Sequence, residues 1–93
     1  MLSIDSAVLK RLRQLPKGER AECLLALCEL LENLGRPHAH GGLGIRKLGN
    51  KLFECRASLA LRFVFNDRPA DLFASFLGNH DSVKALLRSG KYR

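Results

Sequence analysis

The sequence predicts an α+β fold in which an N-terminal antiparallel helix hairpin packs on a small antiparallel sheet of about four strands, with a short C-terminal helix. In the first third of the 93 residues, apolar side chains recur every three to four positions, as in amphipathic helices. From residue 44 onward, short runs with two-residue alternation are separated by turn residues, as in strands. A chain of this length buries one modest core. We therefore predict a single domain spanning residues 1–93.

The first helix is predicted to follow a very short strand at Met1–Ile4. Asp5 or Ser6 can cap this helix by accepting hydrogen bonds from its first N–H groups. The predicted buried stripe consists of Val8, Leu9, Leu12 and Leu15, and the outward residues are the basic Lys10, Arg11 and Arg13. Pro16 ends this helix and suits the start of the next one.

A second helix is predicted over about Lys17 to Leu34, with Gly35 as its C-terminal stop. Its predicted buried stripe, at three- and four-residue steps, is Leu24, Leu27, Cys28, Leu31 and Leu34. Glutamates occupy the other side of the helix. The tight connection between the two helices predicts a hairpin whose apolar face needs a sheet to cover it.

Four strands are predicted in the second half of the chain, after a loop at residues 36–44. They lie at about Gly44–Leu48, Lys51–Ser58, Leu61–Asn66 and Asp71–Leu77. A last helix, capped by Asp81 and ending at Gly90, closes the fold.

Cations interrupt the apolar runs of two central strands. Alternation in the third predicted strand places Phe63 and Phe65 on one face and Arg62 on the other. The same alternation in the preceding strand places Glu54 and Arg56 on the side of Arg62. The aromatic face is expected to pack on the helix hairpin, so the arginines share the opposite, open face.

The net charge of +7 is concentrated in two parts of the chain. Residues 1–32 sum to zero, whereas residues 33–66 carry six basic side chains against Glu54 alone, and residues 82–93 carry four basic and no acidic ones. This distribution indicates a phosphate-rich or acidic partner. The alternative is a basic surface that serves only solubility.

Arg56 and Arg62 are the main candidate site residues. Guanidinium groups match phosphate oxygens in pairs, and a cluster stabilises the extra charge of a phosphoryl transition state. In the alternative interpretation, Glu54, Asp67 and Asp71 neutralise them as structural ion pairs. His80, at the end of the last strand, is a candidate for proton transfer or a structural residue.

The remaining candidates argue against several classes of site. His38 and His40 lack further ligands for a metal, and the glycines beside them match no nucleotide-binding loop, so we predict no metal and no cofactor.

The cysteines Cys23, Cys28 and Cys55 are interpreted as small buried apolar residues. Tyr92 either stacks on a base, transfers a proton or belongs to a solvated terminus. No apolar run is long enough to span a bilayer, which favours a cytoplasmic protein without membrane contact.

The order of these motifs resembles the RelE/ParE superfamily of type II toxins from about residue 6 to residue 93. The run LFECR is similar to the family's L-[YW]-E-[LC]-R strand, LRFVF to its YR-[IL]-x-[FY] strand, and FLGNHD to its final strand and turn. The resemblance implies a helix hairpin backing a small antiparallel sheet. It also implies a cognate antitoxin protein as partner.

RelE-like members cut mRNA in the ribosomal A site without a metal, by attack of a ribose 2′-OH on the adjacent phosphate. Carried over to this sequence, the resemblance implies that Arg62 stabilises the transition state, that Arg56 is the basic residue of the preceding strand, and that His80 takes the position after the last strand. The sequence departs from the pattern at Glu54, where RelE has a catalytic lysine, and no tyrosine follows His80 in the last helix, which leaves Tyr92 as the other candidate for proton transfer.

The resulting hypothesis is a toxin that acts as a ribosome-dependent mRNA endoribonuclease. Its predicted RNA-binding residues are Arg46, Lys47, Lys51, Lys84, Arg88, Lys91 and Tyr92. The alternatives from the same resemblance are a ParE-like inhibitor of DNA gyrase without enzymatic activity, and an inactive member that acts as a binding module.

Overall fold

A computed structural model describes residues 2–32 and 44–90 of the chain. The helices are α1 (Ser6–Gln14), α2 (Lys17–Glu32) and α3 (His80–Arg88). The strands are β1 (Leu2–Ile4), β2 (Arg46–Gly49), β3 (Leu52–Arg56), β4 (Leu61–Asp67) and β5 (Leu72–Asn79). The predicted α+β class and order of elements are confirmed. Gly35, the predicted stop of the second helix, lies outside the described residues.

The sheet has five strands in the order β1-β5-β4-β3-β2, one more than the four predicted. Strands β2 to β5 pair antiparallel, but β1 pairs parallel to β5, so the sheet is mixed. The short β1 is held at this edge by a hydrogen bond from the Ser3 hydroxyl to the carboxylate of Asp71. Because a three-residue strand carries no alternation that specifies a partner, the sequence could not reveal this pairing.

One face of the sheet packs against α1 and α2, and we call it the hairpin face. Phe63 and Phe65 of β4 are buried there, with Cys55 of β3 and Val8 and Leu12 of α1. The ring of Phe53 stacks on that of Phe65 at a centroid distance of 5.6 Å. The alternation predicted for β3 and β4 is therefore confirmed.

The buried side of α2 differs from the predicted stripe. Its buried residues are Cys23, Ala26, Leu27 and Leu30. Leu24 is 47% exposed and Leu31 is 49% exposed, whereas Leu27 is only 6% exposed. Cys28, predicted to be buried, is exposed as well. Because α2 carries apolar residues around most of its circumference, spacing alone did not identify which of them face the sheet.

The other face of the sheet, which we call the outer face, is partly covered by α3. Val83, Leu86 and Leu87 of α3 pack there on Leu52 and Val64. The outer face was predicted to be open, but only part of it remains so. Arg56 and Arg62 lie on the outer face beyond the residues that α3 covers, and Glu54 lies opposite Val64.

The connection from β5 to α3 depends on Gly78. A Cβ atom at this position would lie 2.7 Å from the Phe76 ring and 3.0 Å from the Cβ of Ser82. A larger residue would therefore require the Phe76 ring to move, and the glycine lets α3 turn directly back across the outer face without that shift. Asn79 caps the helix by accepting a hydrogen bond from the N–H of Ser82, whereas Asp81, the predicted cap, lies in the first turn.

At the other end of the chain, the predicted capping of α1 is confirmed. The side chain of Asp5 accepts a hydrogen bond of 2.8 Å from the N–H of Ala7. Over the part of the chain that the structure describes, no helix is both long and apolar enough to cross a membrane.

Candidate functional site

Arg56 and Arg62 are brought together at one end of the outer face. They are directly opposed in the antiparallel register of β3 and β4, and Arg62 in turn lies opposite Gly78 of β5. Opposed residues on antiparallel strands project from the same side of the sheet. Arg56 is exposed, and the side chain of Arg62 is 32% exposed. Both arginines thus extend from this end of the outer face, which we call the arginine end.

Glu54 lies beside the arginine end and is almost completely buried. Its carboxylate is 2% exposed, although the residue faces the same side of the sheet as Arg62. Its Oε1 atom lies 2.9 Å from Nη2 of Arg46 and 3.8 Å from Nη1 of Arg62. Its Oε2 atom has no hydrogen-bond partner among the described residues. The alternative interpretation, in which Glu54 pairs with the arginines, therefore applies to Arg46 directly and to Arg62 only at the limit of an ion pair.

The other two acids of that alternative do not reach the arginine end. Asp71 binds Arg68 in a two-point ion pair, with oxygen–nitrogen distances of 2.6 Å and 2.5 Å. These hydrogen bonds from Arg68, together with the one from Ser3, lower the pKa of Asp71 to about 2. Asp71 lies before the first residue of β5, whereas Gly78, which faces Arg62, is near the end of that strand. The ion pair therefore stabilises the far end of the sheet.

His80 is exposed and begins α3, two residues after Gly78. It is therefore placed at the arginine end by the same short connection that starts the helix. His80, Lys84 and Arg88 are spaced at four-residue steps along α3, and all three are exposed. Residues four apart lie on one side of a helix. The arginine end thus continues into a basic ridge along α3.

The three basic residues predicted to lead into the site are dispersed. Arg46 lies opposite Glu54 and so belongs to the outer face, whereas Lys47 lies opposite Phe53 and so belongs to the hairpin face. Lys51 precedes β3, about 17 Å from Arg56 along the strand direction. It adopts a φ of 57°, a left-handed conformation that is uncommon for residues other than glycine. Of the three, only Arg46 lies next to the arginine end.

Several sequence candidates fall outside the described residues. Lys91 and Tyr92 are among them, as are His38 and His40. Within residues 2–32 and 44–90, no group of three or more potential ligands is placed to hold a metal ion.

The three cysteines differ in exposure. Burial, with a smaller contribution from Glu19 and Glu22, raises the pKa of Cys23 to about 11. Burial and the neighbouring Glu54 raise the pKa of Cys55 to about 12. Both thiols are therefore protonated packing groups at neutral pH.

Chemically, the arginine end is suited to hold an anion with more than one oxygen. Two arginines on adjacent strands present several N–H donors, and a histidine at the margin of this end carries an imidazole that can give or take a proton. These three residues are the catalytic candidates predicted from the sequence. The burial of Glu54 on the same face was not predicted, because local alternation assigns a residue to a face and does not show whether that face is covered there.

Comparison of the sequence with protein-family models gives no match, and comparison with curated proteins gives no significant match.

Solved structures with the same fold are found among toxin–antitoxin complexes. The chain is similar to a chain of the archaeal RelE–RelB complex from Pyrococcus horikoshii OT3, with a TM-score of 0.65, 21% identity and coverage of 84% of this chain and 91% of that one. A chain of the RelB–RelE complex from Methanococcus jannaschii gives a TM-score of 0.68 at 14% identity, with coverage of 90% and 96%. A chain of the YoeB–YefM complex from Staphylococcus aureus gives 0.61 at 15% identity, with coverage of 86% and 95%.

These similarities establish the fold. The chain has the fold of the matched chains of these RelE–RelB and YoeB–YefM complexes. The likeness extends over nearly the whole length of each matched chain.

Proposed function

We propose that the protein is the toxin of a type II toxin–antitoxin system and inhibits translation as a ribosome-dependent mRNA endoribonuclease. The observation that carries this proposal is the opposed pair Arg56 and Arg62 at the uncovered end of the outer face, next to His80. The RelE-like fold supports it, because RelE and YoeB toxins share the architecture that positions these strands.

In the proposed reaction the ribose 2′-OH attacks the adjacent phosphorus. The O2′–P bond forms and the P–O5′ bond breaks, which leaves a 2′,3′-cyclic phosphate and a free 5′-hydroxyl. Arg56 and Arg62 bind the phosphate oxygens and stabilise the additional negative charge of the transition state. His80 transfers a proton, for which Tyr92 is the alternative.

The basic ridge of α3 serves to anchor the protein on ribosomal RNA under this proposal. Lys84 and Arg88 continue the positive surface from His80, so a phosphate backbone can follow the helix. Arg46, Lys47, Lys51 and Lys91 add to the general attraction for RNA. The proposed site of action is the cytoplasm, with residues 1–93 acting as one domain.

We also propose a cognate antitoxin as the protein partner, because the matched structures are toxin–antitoxin complexes. An acidic or amphipathic segment that covers the arginine end or α3 would neutralise the site. A gene encoding such a partner next to that of the toxin is expected. Co-expression of the two proteins should yield a stable complex and restore growth.

Primer extension on mRNA from cells that express the protein tests the enzymatic proposal. Wild type is expected to produce codon-phased cuts, and Arg62→Ala is expected to abolish them. Arg13→Ala is the matched control, because it removes the same charge from an exposed position on α1. Intact mRNA together with gyrase-trapped DNA breaks would instead identify the ParE-like alternative. Normal growth with intact mRNA would overturn the toxin proposal.

A further inference from the structure

The buried carboxylate of Glu54 is placed where it affects the charge of the arginine end. An anion beside Arg62 competes with phosphate for the same guanidinium group. Glu54 itself cannot touch a substrate, because its side chain is only 2% exposed. Glu54 can therefore influence the site only through the charged side chains next to it.

The two arginines near Glu54 are not equivalent. Nη2 of Arg46 lies within hydrogen-bond distance of Oε1, at 2.9 Å, whereas Nη1 of Arg62 is 3.8 Å from the same atom. A separation of 3.8 Å is too long for a hydrogen bond and leaves an electrostatic attraction only. Arg46 is thus the close counter-ion of Glu54, and Arg62 is attracted to the same carboxylate at longer range.

We propose that Glu54 is a positioning residue for Arg62 and that Arg46 maintains this role by neutralising Glu54. Arg46 then supports phosphate binding without itself contacting the RNA. The identification of the bound anion as an RNA phosphate rests on the proposed function. The Arg46–Glu54–Arg62 cluster keeps a net positive charge, so Arg62 is oriented by the carboxylate and stays available to a phosphate.

Loss of Arg46 should therefore weaken phosphate binding by more than the removal of one positive charge does by itself. Without Arg46, Glu54 has Arg62 as its nearest cation, and a buried carboxylate is strongly disfavoured without a partner. Arg62 should therefore move from the long contact to a direct hydrogen bond with Glu54. Its guanidinium group would then be occupied when RNA arrives.

Binding of a 2′-O-methylated single-stranded RNA, which cannot be cleaved by 2′-OH attack, tests this coupling. Arg46→Ala is expected to weaken binding by roughly three- to tenfold more than Lys47→Ala. Lys47 is the matched control, since it lies next to Arg46 in β2 but on the hairpin face, away from Glu54. The double variant with Glu54→Gln and Arg46→Ala should bind this RNA as tightly as Lys47→Ala does. Arg46→Lys should retain most of the wild-type affinity.

A second measurement needs neither RNA nor the Glu54 variant. The guanidinium resonances of Arg62 in the free protein report its hydrogen bonding, and NMR should show them shifted in Arg46→Ala but unchanged in Lys47→Ala. A third measurement uses Glu54→Gln alone. This variant should bind RNA as tightly as the wild type but cut it more slowly, because Arg62 is then held less firmly in position.

Equal binding by Arg46→Ala and Lys47→Ala, or an unchanged Arg62 resonance in Arg46→Ala, would overturn the inference. Both results are independent of whether the wild type cuts mRNA. Failure of the proposed function would appear instead as absence of cutting by wild type, with the coupling between Arg46 and Glu54 still measurable by NMR.

Discussion

Arg56 and Arg62 occupy directly opposed positions on neighbouring antiparallel strands, so two like charges share one side of the sheet. Such a pair is unfavourable for folding, because like charges directly opposite each other repel. A site that concentrates positive charge for a phosphate therefore carries a cost in stability.

Replacement of Arg56 should lower the cleavage activity without lowering the free energy of unfolding. Arg56→Thr is expected to retain the free energy of unfolding or raise it by about 0.2–1 kcal/mol, since the repulsion with Arg62 is removed and threonine suits a strand. Cleavage of mRNA should fall. Denaturant unfolding and primer extension measure the two effects, with Arg13→Ala as the control for charge. A loss of stability above about 1 kcal/mol would contradict the proposed repulsion.

Two leucines of α2 provide a matched test of the fold. Leu27→Ala should lower the free energy of unfolding by about 2–5 kcal/mol, because Leu27 is buried against the sheet. Leu24→Ala removes the same atoms from an exposed position and should change it by about 0.5 kcal/mol or less. Chemical denaturation of both variants makes the comparison. Similar losses would show that the outer side of α2 is covered in solution.

Thiol reactivity should distinguish the three cysteines. Cys28 is exposed and should react rapidly with a colorimetric disulfide reagent at pH 8. Cys23 and Cys55 should react only as the protein unfolds, because burial raises their pKa values to about 11 and about 12. Mass spectrometry identifies the modified residue, and Cys28→Ser should abolish the fast phase. More than one fast thiol would contradict the described packing.

Asp71 should contribute to acid sensitivity. Hydrogen bonds from Arg68 and Ser3 lower its pKa from 3.8 to about 2 in the folded protein. Since the folded state favours the ionised form, this stabilisation is fully present above pH about 4 and is lost as the pH falls through about 2. Urea unfolding should show the difference between wild type and Asp71→Asn shrinking over this range. Asp67→Asn, which removes an equal charge from the same turn and leaves the ion pair of Asp71 with Arg68 in place, is the control for charge.

The sequence predicted best where a strand alternates cleanly. In β4, aromatic residues occupy every second position, so both faces and the orientation of Arg62 followed from periodicity. In α2, apolar residues surround the helix, and the predicted stripe included Leu24 and Cys28 on the exposed side. Periodicity identifies a buried face only when the opposite face is polar.

The site required information that local patterns do not contain. Alternation placed Glu54 on the side of Arg62 but did not show that the carboxylate is buried there, because its burial depends on residues of the neighbouring strands β2 and β4. The coverage of the outer face by α3 depends on Gly78 and on the apolar residues that meet Val64. The parallel pairing of β1 with β5 joins distant segments and leaves no local signal.

The edge strand β1 has a consequence for the order of assembly. Ser3 and Asp71 are 68 positions apart, so β1 cannot pair until the chain has been synthesised through β5. A nascent chain that stops before β5 lacks the partner of β1 and also the segment that carries Gly78 and His80. Under the proposed function, a chain that ends before β5 is therefore inactive, and the capacity to stop translation arises only once β5 and the start of α3 have been synthesised.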